Sequence, residues 1–207
     1  DKYQQTMAES KLMFTLANVQ HRVLCKRTSQ QKQTLQKQLP INRKTHCKKL
    51  KQEITITSFR AEHQNEINTM MESIALEFDE PIFTTQSKKI AEASKSSNNK
   101  FWVATNGFKV VGTIGLIKLL NNNLALKSMF VDKVFRGQGI SNLLLDTLIN
   151  WTFHNNYNQI YLGTMTQFKA AQKFYEKKGF TKCNQTELPT DFVINKLDAI
   201  FYTKHLD

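Results

Sequence analysis

The stretch that most constrains this chain is Val131-Asp132-Lys133-Val134-Phe135-Arg136-Gly137-Gln138-Gly139-Ile140-Ser141. An apolar, strand-like run over residues 124–131 feeds a short loop with two glycines. That loop opens directly into a segment with Ile140, Leu144, Leu148 and Trp151 at helical spacing. The first N–H groups of a helix have no intrahelical acceptor, and the aligned peptide dipoles put partial positive charge there. Glycines remove the side chains that would keep an anion from those N–H groups, so the pattern predicts a phosphate or pyrophosphate site. A nucleoside-triphosphate loop would close on Lys-Ser/Thr, but Ile140-Ser141 stands here. A dinucleotide fingerprint needs a third glycine, where Asn142 stands, and an acidic residue about 20 positions on, where Asn156, Tyr157 and Asn158 stand.

The remaining elements give this loop its setting. Residues 54–57 alternate Ile and Thr and read as a first strand. Residues 61–78 carry Ile67, Met70, Met71, Ile74 and Phe78 at helical spacing, Pro81 interrupts them, and a second helical stretch is expected to about Ala93. Residues 94–99 are a polar loop. Residues 101–105 and 108–117 read as a hairpin about Asn106-Gly107, a dipeptide suited to a turn with positive φ at both central positions. A second turn at Asn121-Asn122-Asn123 leads into the strand before the glycine loop. A strand over 159–163, a helix over 167–178 ended by Gly179, and strands over 180–183 and 199–204 complete the order β, α(α), βββ, α, β, α, ββ. This predicts an α/β chain with a mixed sheet rather than a uniform βαβ series.

Charge divides the chain. Residues 1–52 hold 12 Lys and Arg against Asp1 and Glu9, so they carry ten of the 12 net positive charges; residues 53–207 hold 17 against 15. The expected division is a basic helical or linker extension over 1–52 and a nearly neutral globular domain over 53–207. Within the extension, Leu12, Leu16, Val19 and Val23 predict a helix over 6–26, and a short helix near 34–38 is expected in the Gln- and Lys-rich linker. The extension reads as solvated; a nucleic-acid or other acidic partner and the tail of an upstream domain are its other readings, and only Tyr3 and Phe14 supply the aromatic interleaving that nucleic-acid binding favours. Three cysteines, Cys25, Cys47 and Cys183, lack framework spacing and point to a reducing, cytoplasmic setting. No apolar run approaches the roughly 18 residues of a membrane span, and no secretory signal is expected. His21, Cys25, His46 and Cys47 match no common zinc spacing, so no metal is expected.

Arg136-Gly137-Gln138-Gly139-Ile140-Ser141 resembles the pyrophosphate motif of the GNAT family of N-acetyltransferases, Arg/Gln-x-x-Gly-x-Gly/Ala, with Ser at the last small position. Downstream, Ala171-Gln172-Lys173-Phe174-Tyr175-Glu176-Lys177-Lys178-Gly179-Phe180 resembles the family's second signature, in the right order and spacing. An ordinary strand-to-helix turn could share the loop's shape; the downstream pattern separates the two readings. Phe168 stands where many members carry an Asn that contacts the cofactor's pantetheine arm.

The resemblance implies a mixed, mostly antiparallel central sheet flanked by helices, with acetyl-coenzyme A as co-substrate. It implies pantetheine contacts from the Phe130-Val131 backbone and pyrophosphate contacts from Arg136, Gly137, Gln138, Gly139, Ile140 and Ser141. It casts Tyr175 as the general acid toward the departing thiolate, and a small-molecule or peptide amine as acceptor. Glu77, Asp79 and Glu80 fall where the family lines its acceptor site and are candidates for the base, although a solvated acidic turn explains them equally well. A non-catalytic acyl-coenzyme A-binding module, or a regulator fused to a nucleic-acid-binding segment, is the competing function.

Overall fold

A computed structural model describes residues 53–83, 90–107 and 109–206. The helices expected over 6–26 and 34–38, the His21, Cys25, His46 and Cys47 group, and much of the helical stretch before Ala93 lie outside the described residues. Seven strands form one sheet: β1 (Ile54–Ser58), β2 (Lys100–Asn106), β3 (Lys109–Lys118), β4 (Asn123–Val131), β5 (Gln159–Thr164), β6 (Thr181–Cys183) and β7 (Ile200–His205), in the order β1-β2-β3-β4-β5-β7-β6. Every neighbouring pair is antiparallel except β4 with β5. The mixed, mostly antiparallel sheet that the resemblance implied is therefore present.

Alternation along the strands sorts side chains to two faces. On β2, Trp102 and Ala104 join the larger core with Leu144 and Leu148, whereas Phe101 and Val103 pack with Ile67 on the opposite face. Helices cover both faces, so β3 is buried from Val110 to Leu116 and reads as a continuous apolar run. One covering helix, α1 (Gln64–Ala75), buries Ile67, Met70 and Ile74. A 3-10 turn over Ala61–His63 precedes it, and it stops at Leu76, short of the expected Phe78. Pro81 disfavours helical backbone at Glu80, and Glu77 and Phe78 form a turn bonded back to Ile74 and Ala75. After the short α2 (Ile90–Ala93), α3 (Ile140–His154) buries Ile140, Leu144, Leu145 and Leu148 on the other face. Full burial of each such side chain contributes roughly 1.5–3 kcal/mol.

The helix α4 (Lys169–Lys177) ends as its sequence predicts. Gly179 adopts φ +79°, its N–H bonds the Glu176 carbonyl at 3.1 Å, and the Phe180 N–H bonds the Tyr175 carbonyl at 3.0 Å. The Tyr175 and Phe180 rings, 5.6 Å apart, supply the apolar contact of this Schellman cap. The turns differ from expectation. Asn106 stays in β2 paired with Lys109, and of the expected Asn106-Gly107 centre Gly107 alone takes positive φ, at +65°. Among the described residues, Asn121 and Asn122 form a turn with two positive-φ centres, both at φ +56°, closed by the Asn123 N–H on the Leu120 carbonyl at 3.1 Å. Asparagine tolerates this region because its short polar side chain offsets the steric cost.

Candidate active site

The site is built on a fork in the sheet. Strands β4 and β5 pair in parallel only from Asn123 with Gln159 to Ala125 with Tyr161, and beyond that level they separate. The cause lies on the other edge of β4. Its register with β3 passes from Gly115–Lys127 to Thr113–Phe130, so Ser128 and Met129 together oppose Ile114. This is a β-bulge, which bends the bulged strand and sharpens its twist. Ser128 sits at φ +55°, and the fully buried Thr113 hydroxyl donates to its carbonyl at 2.7 Å, fixing the distortion. Without glycine at Ser128, nothing in the local sequence announces it.

Register also separates the two residues expected to supply main-chain contacts. The Asp132 N–H bonds the Val111 carbonyl at 2.9 Å, which makes those two a hydrogen-bonded pair. By antiparallel alternation, Phe130 exchanges its bonds with Thr113, and Val131 turns its N–H and C=O toward the open side of the fork. Phe130 instead offers its ring, which meets Phe83 edge-on at 5.7 Å between centroids. Phe78 and Phe168 meet similarly at 5.1 Å, so the aromatic that replaces the family's frequent Asn joins an apolar cluster with Met70, Ile74, Ile82 and Met165.

Beyond the fork, Asp132 caps a single 3-10 turn, accepting from the Val134 N–H at 3.0 Å and from Lys109 Nζ at 2.9 Å. Burial alone would raise its pKa, but these bonds hold the carboxyl below its ordinary range. Gly137 and Gly139 follow at φ +74° and +85°, and Gly139 is the left-handed cap of α3. A Cβ at either glycine would meet no atom within 4 Å, so these glycines leave open space and provide backbone geometry rather than packing. The N–H groups of Ile140 and Ser141 begin the helix without a carbonyl one turn behind them. Two loop side chains fold back onto neighbouring groups. Arg136 Nε donates to the Val131 carbonyl at 2.9 Å, its two terminal nitrogens grip Glu77 at 2.7 and 2.9 Å, and Gln138 Nε2 donates to the Val134 carbonyl at 2.9 Å. With these two side chains tied back, the main chain at Gly137 and Gly139 is left accessible, the kind of surface a pyrophosphate requires. The residues therefore fit such a group.

Glu77 is thus committed to Arg136, and Asp79 and Glu80 are exposed on the turn. That placement takes Glu77 out of the candidate bases. Tyr175 projects from α4 into the main core, 5% exposed, with its hydroxyl donating to Met129 Sδ on the bulge at 3.5 Å. Burial, and then the nearby Asp198 carboxylate, push its pKa well above the ordinary tyrosine value. Gln172, one turn earlier on α4, donates to the Met165 and Thr166 carbonyls at 3.0 and 3.1 Å and fixes the connection from β5.

Two charged residues that the sequence did not single out stand at the fork. Lys127 is half-buried on β4, its ammonium 4.3 Å from the centroid of the Phe192 ring and 3.1 Å from the Val193 carbonyl. Asp198 is half-buried before β7, lying over Gly163, where an added Cβ would come within 2.5 Å of its Oδ2. Burial lowers the Lys127 pKa and raises that of Asp198, and the attraction between them partly opposes both shifts. Among the described residues, no group of His, Cys, Asp and Glu is placed to hold a metal ion, and no helix is long and apolar enough to cross a membrane.

A forked mixed sheet whose bulged arm runs into a glycine-rich helix start defines an acyltransferase-type scaffold, and comparison with known proteins agrees. The model of the acetyltransferase (GNAT) family matches residues 67–180, more than half of the chain. This chain belongs to the acetyltransferase (GNAT) family. A crystal structure of a GNAT-family acetyltransferase from Staphylococcus aureus Mu50 superposes with a TM-score of 0.70 at 34% identity, covering 75% of this chain and 100% of that one. The N-acetylaspartate synthetase of Danio rerio is 37% identical over 94 residues, 45% of this chain and 33% of its own length. Human N-acetyltransferase 8 is 34% identical over 111 residues, 51% of this chain and 49% of its own. The chain therefore spans a third to a half of the length of these curated relatives.

Proposed function

We propose that this protein transfers an acetyl group from acetyl-coenzyme A to an amine acceptor by direct attack. The observation that carries this reading is the placement beside the fork of the Ser128 bulge, the Val131 N–H and, past one 3-10 turn, the glycine loop and helix start at Ile140. Acetyl-coenzyme A supplies the activated thioester. Val131 would meet the pantetheine arm with its N–H, its C=O being held by Arg136. The N–H groups of Gly137, Gln138, Gly139, Ile140 and Ser141 would hold the pyrophosphate, with Arg136 bracing the loop from within. Phe130 and Phe168 would line the arm with apolar surface. Tyr175, reaching the bulge, would donate a hydrogen bond where charge develops on sulfur.

In this reading residues 53–207 are the transferase domain and 1–52 a solvated basic extension, supported by the abrupt change in charge near residue 52. A cytoplasmic setting is part of the proposal, supported by the number and spacing of the cysteines. Calorimetric titration with acetyl-coenzyme A, followed by an amine panel with product mass spectrometry, tests the reading. Tight cofactor binding without transfer to any amine would favour a non-catalytic binding module instead.

A further inference from the structure

Lys127 and Asp198 are 71 positions apart in sequence, and the fork brings them to one level. Two residues on from the last parallel pair, Ala125–Tyr161, stand Lys127 on β4 and, on β5, Gly163, the residue that Asp198 overlies. Strand alternation puts both on the face of Ala125 and Tyr161, where those side chains pack with Phe192 and Phe201. Tyr175 packs on the other face, among Leu126, Leu144 and Leu162. A group lodged in the fork would thus have the Tyr175 hydroxyl on one side and the Lys127–Asp198 pair on the other.

The pair itself is incompletely satisfied. Its members attract each other, yet no ion pair within 4.0 Å joins them. The Lys127 ammonium, with three donors, has one carbonyl acceptor and the face of an aromatic ring. The Asp198 carboxylate accepts one long bond, from the Asn195 N–H at 3.4 Å. Two half-buried opposite charges held apart cost desolvation without closing on each other, an arrangement that a ligand with complementary charges would complete. Gly163 lets the Asp198 carboxylate lie close against β5: it has no side chain, and even a methyl group there would collide with the carboxylate.

We propose that Lys127 and Asp198 form the acceptor subsite and select amines that carry a carboxylate near the nitrogen, Lys127 taking the carboxylate and Asp198 the ammonium. The assignment rests on the transferase reading above. Asp198 would then receive the first proton from the ammonium. The nitrogen forms its bond to the acetyl carbon, the carbon–sulfur bond breaks with its electron pair passing to sulfur, and the nitrogen's second proton goes to the thiolate. The titratable groups whose charge couples to Asp198 are Lys127 from β4, which favours its ionised form, and Tyr175 from α4, which stays protonated.

The test uses the full chain, saturating acetyl-coenzyme A, and matched acceptors: free leucine, alanine and phenylalanine, each with its α-carboxamide and its decarboxylated amine. The free acids should exceed their amides in kcat/KM by about tenfold or more, the scale of one charge-assisted hydrogen bond. Lys127→Met should erase that preference by raising KM for the acids alone, and Lys127→Arg should restore much of it. Asp198→Asn should lower kcat for every acceptor and flatten the acid limb of its pH profile, with the Kd for acetyl-coenzyme A unchanged. Equal use of acids and amides by the unaltered protein would overturn the subsite alone. So would a Lys127→Met variant whose KM values rise equally for both, which would mark the lysine as a loop anchor on Val193. Failure to bind acetyl-coenzyme A, or to acetylate any acceptor, would remove the transferase reading together with the subsite.

Discussion

Arg136 and Glu77 meet through a two-pronged ion pair, with nitrogen–oxygen distances of 2.7 and 2.9 Å, that ties the turn after α1 to the glycine loop. Lys133 reaches the same carboxylate at 3.9 Å. The geometry is the strong, bidentate kind, and the carboxylate side is only 14% exposed. Arg136 also holds the Val131 carbonyl, so one side chain links the fork, the loop and α1.

The first prediction follows from that link. Glu77→Gln keeps the shape but removes the charge and one acceptor, which should loosen the loop by about 1–2 kcal/mol and raise the Kd for acetyl-coenzyme A roughly tenfold. Because Glu77 is committed to Arg136, kcat at saturating cofactor should hold. A large fall in kcat with unchanged cofactor affinity would return Glu77 to the role of base.

The glycine loop gives a graded test. Gly139 has φ +85°, with no atom within 4 Å of an added Cβ. Any L side chain there is strained by about 1–2 kcal/mol, yet clashes with nothing in the protein itself. Gly139→Ala should therefore lower the melting temperature by a few degrees, at roughly 2–4 °C per kcal/mol for a domain of this size. Gly139→Val should cost more because branching at Cβ stiffens the side chain. Both should weaken acetyl-coenzyme A binding far more than their stability loss explains, as read by calorimetry. Parallel, modest losses would mean that the anion sits elsewhere.

How far the sequence led can be judged at particular residues. The glycine loop, the α3 face from Ile140 to Leu148 and the Gly179 cap are local patterns, and each is found where its spacing put it. The Asn106-Gly107 turn failed because strand pairing carried Asn106 into the ladder, while Asn121-Asn122 adopted the double positive-φ turn without a glycine. Whether Phe130 or Val131 faces the fork is a question of register, which depends on a bulge at Ser128 that no glycine marks. Lys127 and Asp198 carry no local signal at all. Their meeting is a product of the fork, and in sequence each is an ordinary polar residue.

Asp132 provides a pH-dependent prediction. A carboxyl held below its ordinary pKa in the native state adds stability above the unfolded value, near 4, and loses it as pH falls through the native value. Lys109→Met removes a hydrogen bond and a positive charge that depress it. The variant should match the unaltered protein less well near neutrality than at low pH, where Asp132 is protonated in both. Asp132→Ala should in addition lose the cap on Val134, at about 1 kcal/mol. Thermal melts from pH 7 down to about 3, bracketing the ordinary carboxyl range, measure both. A constant gap between Lys109→Met and the unaltered protein over that range would show that the contact contributes nothing electrostatic.

Tyr175 supplies the last prediction, and its environment sharpens it. Burial holds the phenol proton on well above the ordinary tyrosine value near 10, while a free thiol loses its proton near 8.5. Complete transfer of that proton to a departing thiolate is therefore uphill by more than the roughly 2 kcal/mol set by the ordinary values. The hydroxyl is better suited to donating a hydrogen bond as charge grows on sulfur, and its present acceptor, Met129 Sδ at 3.5 Å, is a weak one that a thiolate would displace. Tyr175→Phe keeps the ring, its edge contacts with Phe174 and Phe180, and its burial. The melting temperature should move little, since only a bond to a thioether is lost. kcat should fall on the order of 10²-fold, the lower part of the range for positioned proton donors, with acetyl-coenzyme A affinity nearly intact. Because the phenol stays protonated, no decline in kcat from its ionisation should appear below about pH 10. Normal turnover with reduced thermal stability in Tyr175→Phe would show instead that the residue serves the core, leaving water to donate the hydrogen bond as charge grows on sulfur.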